Sequence, residues 1–445
     1  MLFFALISLL FLHLLFWYYA RKTLVLRSFD LLDLLLFIYL LKFLVRPAAL
    51  IFRLDEPWLN HFVGQDDIDL AIIACLSVVL FWMVSLGVGV KVAHLSVTKP
   101  WCGLGKPVFT IRQFIFAAFV LLVVGALLVI PQIAQHGGIS NLIYQSKLGD
   151  GVERAYRYPS LIGSIWAAAA IVSYRRIGRM GNYGSVDERN KVFFLIGVIL
   201  FFGNSFLAFT YGARDAVVLG VVAIMLSVIS LRELRLGGVN RLAVIGLIVL
   251  TLASVFRFFR DGLIVENVAI FDTSGVVRSI FQATNLLTFD SLLLAVRDFP
   301  SVFAYFGVEP FLGSVKTMPF VSYLFGEGGA EFENIAQRVI RLYIPWRKTG
   351  NPLDAVGDWY VCFGIVGLIV GGLVSGYVVG WFQKKLLNFR NQALLFVVSI
   401  HGAALIFPLG FSSTSVTRGV RFGVALMIVY VGMILISKIR VRSSL

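Results

Sequence analysis

The chain has 445 residues, 59% of them hydrophobic and only 14% charged, with a mean hydropathy of +0.89. No water-soluble globule hides that much apolar surface, so the composition excludes a string of soluble domains and indicates an integral membrane protein. Lys and Arg (39) outnumber Asp and Glu (24), for a net charge of +15. Because the excess sits in the short loops between apolar stretches, it reads as a topology signal and not as a nucleic-acid footprint.

A hydrocarbon core of about 30 Å takes about 20 helical residues per crossing, and backbone groups in lipid must be bonded internally. Taken in chain order, the apolar stretches predict spans at 1–20, 31–51, 70–90, 114–133, 158–174, 192–211, 216–230, 242–256, 356–382, 393–411 and 420–436. The first has no basic n-region and no small-residue cleavage site before Arg21, so it is expected to be a retained span. The fold class expected is therefore an all-α polytopic membrane protein of about 11 transmembrane helices. It divides into an N-terminal bundle of about eight helices (1–258), a large extramembrane loop (259–354) and about three C-terminal helices (355–445).

Orientation follows from the basic residues. One set of alternate loops carries 21 of the 39 Lys and Arg, among them Arg21, Lys22, Arg175, Arg176, Arg179, Lys384, Lys385 and Arg440. Only Asp187, Glu188 and Glu233 oppose them within those loops. The other face has 18 basic residues against 19 carboxylates, including Asp55, Glu56, Asp66, Asp67 and Asp69. The N-terminus and the large loop are thus expected outside, and the C-terminus in the cytoplasm.

Cys75, Cys102 and Cys362 are too few and too scattered for a disulfide framework or a zinc site. The chain has no Walker loop, no metalloprotease helix motif and no Gly-x-Ser-x-Gly elbow. Nucleotide-driven chemistry is not expected, which leaves the substrate or an ion gradient as the energy source. Asp67 and Asp69 form an Asp-x-Asp pair, but in an acidic outer loop that is a weak metal signal, and no metal or other cofactor is expected.

The chemistry-bearing residues gather at the outer face. The sixth predicted span ends in Thr210-Tyr211-Gly212-Ala213-Arg214-Asp215, and the eighth in Arg257-Phe258-Phe259-Arg260-Asp261. The eleventh opens with a Ser/Thr run, then Arg418-Gly419-Val420-Arg421. Arginines three apart share a helix face, and a helix N-terminus adds free N–H donors, a combination suited to phosphate or pyrophosphate. The outer face holds 14 Arg against four Lys, counting Lys42, and only the guanidinium grips such anions in a fork. Any one of these arginines could simply snorkel to the headgroups, but three helix ends on one face point to a shared anionic ligand. Arg214, Arg257, Arg260, Arg418 and Arg421 are the first candidates for it, with Arg278, Arg338 and Arg341 of the loop as further ones.

The loop alternates apolar runs (280–289, 291–296, 310–325) with charges, as amphipathic helices resting on a bundle would. A helical stretch is predicted through Glu327, Glu331, Glu333, Arg338 and Arg341. A turn-rich segment around Pro345, Trp346, Gly350 and Pro352 leads from it to Asp354 and Asp358. Aromatic rings beside carboxylates and amides suit sugars, because rings stack on pyranose faces while polar groups read hydroxyls. An acceptor hydroxyl needs a base. Asp215, Asp261, Glu309, Glu327, Glu331, Asp354 and Asp358 all lie on the correct face; Glu327 and Asp358 are preferred, although a capping role competes at Asp358. His401, near mid-span, is expected to pack or hydrogen-bond. Gly364, Gly367, Gly371, Gly372, Gly376 and Gly380 include Gly-x-x-x-Gly spacings that permit close helix contact, expected here within the chain.

The 211–216 turn into an apolar helix resembles the Gly-x-Arg turn of bacterial oligosaccharide repeat-unit polymerases, the Wzy-type O-antigen polymerases. So does Gly357-Asp358-Trp359-Tyr360-Val361-Cys362-Phe363-Gly364 with Gly367, after the large loop. The layout of many spans with one large loop two-thirds along is similar over the whole chain. The Arg-x10-Gly repeats of some members are absent, so loop-level catalytic roles are not carried over.

The resemblance implies a GT-C-like bundle in the bacterial inner membrane, with its active site facing the periplasm. Such an enzyme moves a growing glycan from undecaprenyl pyrophosphate to a new lipid-linked repeat, with donor and acceptor oligosaccharides, the bilayer and a chain-length regulator protein as partners. The leaving group is already good, so arginines alone, Arg214 first, would stabilise the departing charge. Two alternatives stay open: an O-antigen ligase passing the glycan to a lipid-A core, and a lipid-linked oligosaccharide flippase or other transporter.

Overall fold

The computed structural model describes residues 2–23, 39–52, 65–96, 109–148, 156–180, 188–211, 288–310, 335–343, 353–388 and 423–432, with isolated positions at 221, 224, 393–394, 397–398, 419 and 434. Among them every regular element is helical. Four helices are long and apolar enough to cross a membrane, Ile68–Ser96, Ile111–Gln135, Lys191–Thr210 and Ala355–Phe382, and 4–19 and 423–432 are shorter apolar helices. The predicted span at 242–256 and most of those at 216–230 and 393–411 lie outside the described residues.

The chain forms two compact units, each discontinuous in sequence: 1–100, 271–385 and 403–420 make one, and 101–270, 386–402 and 421–445 the other. In the first unit, α1 (Leu2–Thr23) packs on α3 (Gln65–Ser96), with Phe16 lying against Gly87. Between them a π-helical turn, Leu41–Val45, runs into α2 (Arg46–Ile51). Pro47 accounts for the wide turn: proline offers no N–H and its ring crowds the carbonyl four residues back, so the helix relaxes to a wider pitch just before it.

In the second unit α4 (Ile111–Gln135), α6 (Arg157–Met180) and α7 (Glu188–Thr210) pack mutually, and the short α5 (Ile139–Leu148) lies against α4 and α7. Thr110 and Gln113 start α4 with reciprocal side-chain caps. Small residues let α6 approach its neighbours, as membrane helices require when no hydrophobic effect drives them together: Ser160, Ser164 and Ala167–Ala170 are all buried. Asn204 supplies a buried polar tie, its amide donating to the carbonyls of Ala118 (3.1 Å) and Leu200 (2.9 Å). Outward, α7 presents Leu195, Ile199, Phe202 and Phe206 at helical spacing, an apolar stripe that suits lipid.

Two helices from the long loop belong to the first unit. α8 (Thr288–Asp298) is buried on nearly every side and packs on α3, so it is an embedded helix and not the surface-lying amphipathic one expected. α9 (Ile335–Tyr343) is amphipathic as expected, with Ile335 and Val339 buried. Leu294 of α8 joins Ile68 at the start of α3 to Tyr343 of α9. Asp298 locks the two loop helices. It accepts both Nε (2.6 Å) and Nη2 (2.8 Å) of Arg297 and the Tyr343 hydroxyl (2.6 Å). Burial pushes the Asp298 pKa up, but these hydrogen bonds and the Arg297 charge outweigh it and hold the carboxyl below its ordinary value, while burial and Asp298 push the Tyr343 hydroxyl up.

α10 (Ala355–Asn388) packs its Gly372, Gly376 and Gly380 directly on the α3 backbone and side chains at Trp82, Ser85, Leu86 and Val90. The Gly-x-x-x-Gly series therefore serves a contact within the chain. α10 is not continuous, however. Gly364 takes φ 62°, ψ −143°, a backbone conformation essentially confined to glycine, and the Tyr305 ring covers it so closely that an added Cβ would lie 2.8 Å away. The expected uninterrupted span at 356–382 is thus kinked a third of the way along.

Gly364→Ala is expected to destabilise the folded state, measured by unfolding in mixed micelles, by about 1–3 kcal/mol from the backbone alone; Tyr305→Ala should relieve only the added steric part. A wild-type-like midpoint for Gly364→Ala would contradict the kink. For Asp298, folding lowers the carboxyl pKa, so its contribution is complete above the unfolded value of about 3.9 and is lost as pH falls through the lower folded value. The stability advantage of wild type over Asp298→Asn should therefore be constant above about pH 5 and shrink below about pH 4.

Candidate functional site

The first unit gathers ionisable groups at the end of α3 where α8 and α9 dock. The π turn and α2 carry Lys42 and Arg46, both buried, and Arg46 is fully so. Arg46 grips Asp290 of α8 in a two-pronged ion pair, Nε to Oδ1 at 2.9 Å and Nη2 to Oδ2 at 2.7 Å. That geometry satisfies two guanidinium edges and both carboxylate oxygens at once.

Asp354 caps α10: its Oδ1 accepts the Gly357 N–H at 3.0 Å, the usual reach from a cap to the third helical residue. Its Oδ2 is buried and has no hydrogen-bond partner among the described residues. Burial pushes the Asp354 carboxyl above the usual carboxylate range, against the pull of the Lys42 charge and of the Gly357 and Val356 N–H groups. Asp354 is also within electrostatic reach of Tyr39 and Cys75, and Asp290 of Cys75, so these groups form one neighbourhood. Tyr39 closes it on one side, accepting the Trp82 indole N–H at 3.1 Å and stacking on Phe43.

Five of the residues predicted for the site are described, Asp354 and the four that follow. Asp358 is buried in the first turn of α10, where the capping role expected to compete for it falls to Asp354 instead. Arg338 of α9 is about one-quarter exposed and pairs with the largely exposed Glu309 at 2.9 Å. Asp358 and Arg338 both lie within electrostatic reach of the Cys362 thiol. Arg341, half-buried, lies one turn along α9 from Arg338. Arg214, Arg257, Arg260, Arg278, Glu327, Arg418, Arg421 and His401 lie outside the described residues. Of the 211–216 turn only Tyr211 is described; it is buried and its hydroxyl donates to the Leu128 carbonyl at 3.3 Å. Asp69 is exposed, and no cluster of three metal-ligating side chains occurs among the described residues.

The Arg46–Asp290 pair is the part that sequence reasoning missed. Lys42 stood out as a charge inside a predicted span, and Arg46, four residues on, carried the same signal: an arginine at such a place needs a carboxylate. Asp290, the lone acid between two apolar runs of the loop, was the partner available.

Chemically the set divides in two. Arg46, already matched by Asp290, positions elements. Asp354, Asp358 and the partly exposed Arg338 are the groups suited to moving a proton or meeting an anion. Asp290→Ala should cost about 3–5 kcal/mol because it strands a buried guanidinium. The double replacement Arg46→Met with Asp290→Leu should recover most of that in the same unfolding assay, and failure to recover would mean that the charges do more than hold the fold.

Comparison of the chain with family models, with curated proteins and with solved structures finds no match.

Proposed function

We propose that the chain is a metal- and nucleotide-independent membrane glycosyltransferase of the bacterial inner membrane, with about 11 spans in a GT-C-like bundle. In this reading it polymerises undecaprenyl-pyrophosphate-linked repeat units at the periplasmic face. The observation that carries the reading is the docking of the loop helices α8 and α9 at the start of the apolar α3, with α8 holding Arg46 through Asp290 and α9 carrying Arg338 and Arg341. A long extramembrane loop that buries acids and arginines against membrane helices suits chemistry on a lipid-borne polar group.

In the reaction, the acceptor sugar hydroxyl attacks the anomeric carbon of the donor glycan. The bond from that carbon to the pyrophosphate oxygen breaks, and undecaprenyl pyrophosphate leaves with the electron pair. The hydroxyl proton passes to a carboxylate; Asp358 and Glu327 are the candidates, and Asp354, whose buried Oδ2 has no hydrogen-bond partner among the described residues, joins them. Arg338 and Arg341, with Arg214, Arg257, Arg260, Arg278, Arg418 and Arg421, hold the pyrophosphate and offset its growing charge.

One observation favours a second reading. A spanning helix broken at Gly364 is a feature of transporters, so a flippase for the same lipid-linked glycan is the alternative. Reconstituted protein, supplied with native lipid-linked repeats and neither metal nor nucleotide, should give a product ladder spaced by one repeat unit. Movement of repeats across the bilayer with no ladder would establish the flippase instead. A product formed only when lipid-A core is added would identify a ligase. Arg214→Ala and Arg418→Ala should each reduce the ladder at least about 100-fold with the protein still in the membrane. Lysine at either position should also lose most activity, because the fork is gone; full activity in both alanine variants would remove the pyrophosphate site.

A further inference from the structure

The segment 299–310, between α8 and the rest of the long loop, is fastened to the first third of an apolar helix. The Phe306 N–H donates to the Val361 carbonyl at 3.0 Å and the Gly307 N–H to the Cys362 carbonyl at 2.9 Å. These are the carbonyls that would accept from Ile365 and Val366 in an unbroken helix. The Tyr360 hydroxyl donates to the Phe299 carbonyl at 3.0 Å, and Tyr305 covers the kink at Gly364. Val361 and Cys362 lie about 9–10 Å along α10 from Ala355 at 1.5 Å per residue, well inside a stretch long and apolar enough to cross a membrane.

Apart from Ser301 and Glu309, the outward side chains of the segment are apolar. Val302 is 66% exposed, and Ala304 and Tyr305 are exposed beside it. Tyr305 lies over Gly364, and the residues that follow it in α10, Ile365 and Val366, are exposed and apolar as well. Glu309, paired with Arg338, marks the return to a polar level. Irregular backbone survives at membrane depth only where protein satisfies its polar groups. The two main-chain bonds to α10 do so at the point of closest approach.

We propose that 299–310 is a re-entrant segment, with Val302, Ala304 and Tyr305 in contact with lipid acyl chains below the headgroups. It holds for a transferase and a flippase alike, since it rests on the kinked helix and not on the bound sugar.

Spin labels at Val302→Cys and Ala304→Cys test it in the full-length protein in lipid nanodiscs. Cys102→Ser serves as the background, and Cys75 and Cys362 are buried. Only proteins that remain monodisperse after labelling are scored; two neighbouring sites guard against one that fails to fold. Both labels should collide more with dissolved oxygen than with a water-soluble nickel chelate, matching Val366→Cys on the exposed face of α10. A collision pattern matching Asp69→Cys, an exposed acidic position, would overturn the proposal by putting the segment in water. Labels shielded from both reagents would overturn it too, since protein and not lipid would then cover the segment.

Discussion

The Arg46–Asp290 ion pair is the constraint on which the first unit depends. A guanidinium with no exposed surface, on a helix that belongs among apolar ones, is tolerable only if a carboxylate meets it at both prongs. That carboxylate comes from a helix 244 residues further along the chain. The requirement draws α8 out of the polar loop and into the unit, where its apolar faces are buried against α3. With α8 in place, Asp298 holds α9, and α9 carries Arg338 and Arg341 to the same end. One buried charge thus organises the region to which the proposed chemistry is assigned.

A second constraint is backbone geometry. α3 and α10 approach closely because glycines remove the side chains between them, and this close contact leaves α10 little freedom to bend. The bend that exists is concentrated at Gly364, where glycine alone tolerates the dihedral angles. The carbonyls just before it are met by main-chain donors from the loop, so the kink and the fastening of 299–310 are two sides of one arrangement. In the second unit the same economy of small residues operates without a break: Ser160, Gly163 and the alanines of α6 admit the Asn204 amide, whose hydrogen bonds tie α4 to α7.

The division of charge has functional consequences. Groups that are fully paired and buried, such as Arg46 with Asp290, are poor candidates for binding because a ligand would have to displace the partner. Groups that are less committed, such as Arg338 on its exposed glutamate and Asp354 with one oxygen unpartnered among the described residues, are the ones a lipid pyrophosphate or a sugar hydroxyl would engage in the proposed reaction. In the proposed reaction the rigid pairs would set the distances and the looser groups would meet the substrate.

Composition, hydropathy and glycine spacing pointed to a helical membrane protein, to spans at 70–90, 114–133, 192–211 and 356–382 that fall within or nearly within the helices 65–96, 111–135, 188–210 and 355–388, and to a helical stretch carrying Arg338 and Arg341. Each of these follows from local pattern: length against bilayer thickness, or apolar residues recurring at helical spacing. The identity of the acid that answers Arg46, the burial of α8, the cap at Asp354 and the kink at Gly364 were decided by tertiary structure. Asp290 looks like a surface charge in a loop until its partner is known, and Gly364 is one glycine among several in an apolar run. Their roles depend on residues far away in the chain, and a local pattern holds no record of which distant group will supply a counter-charge or a main-chain donor.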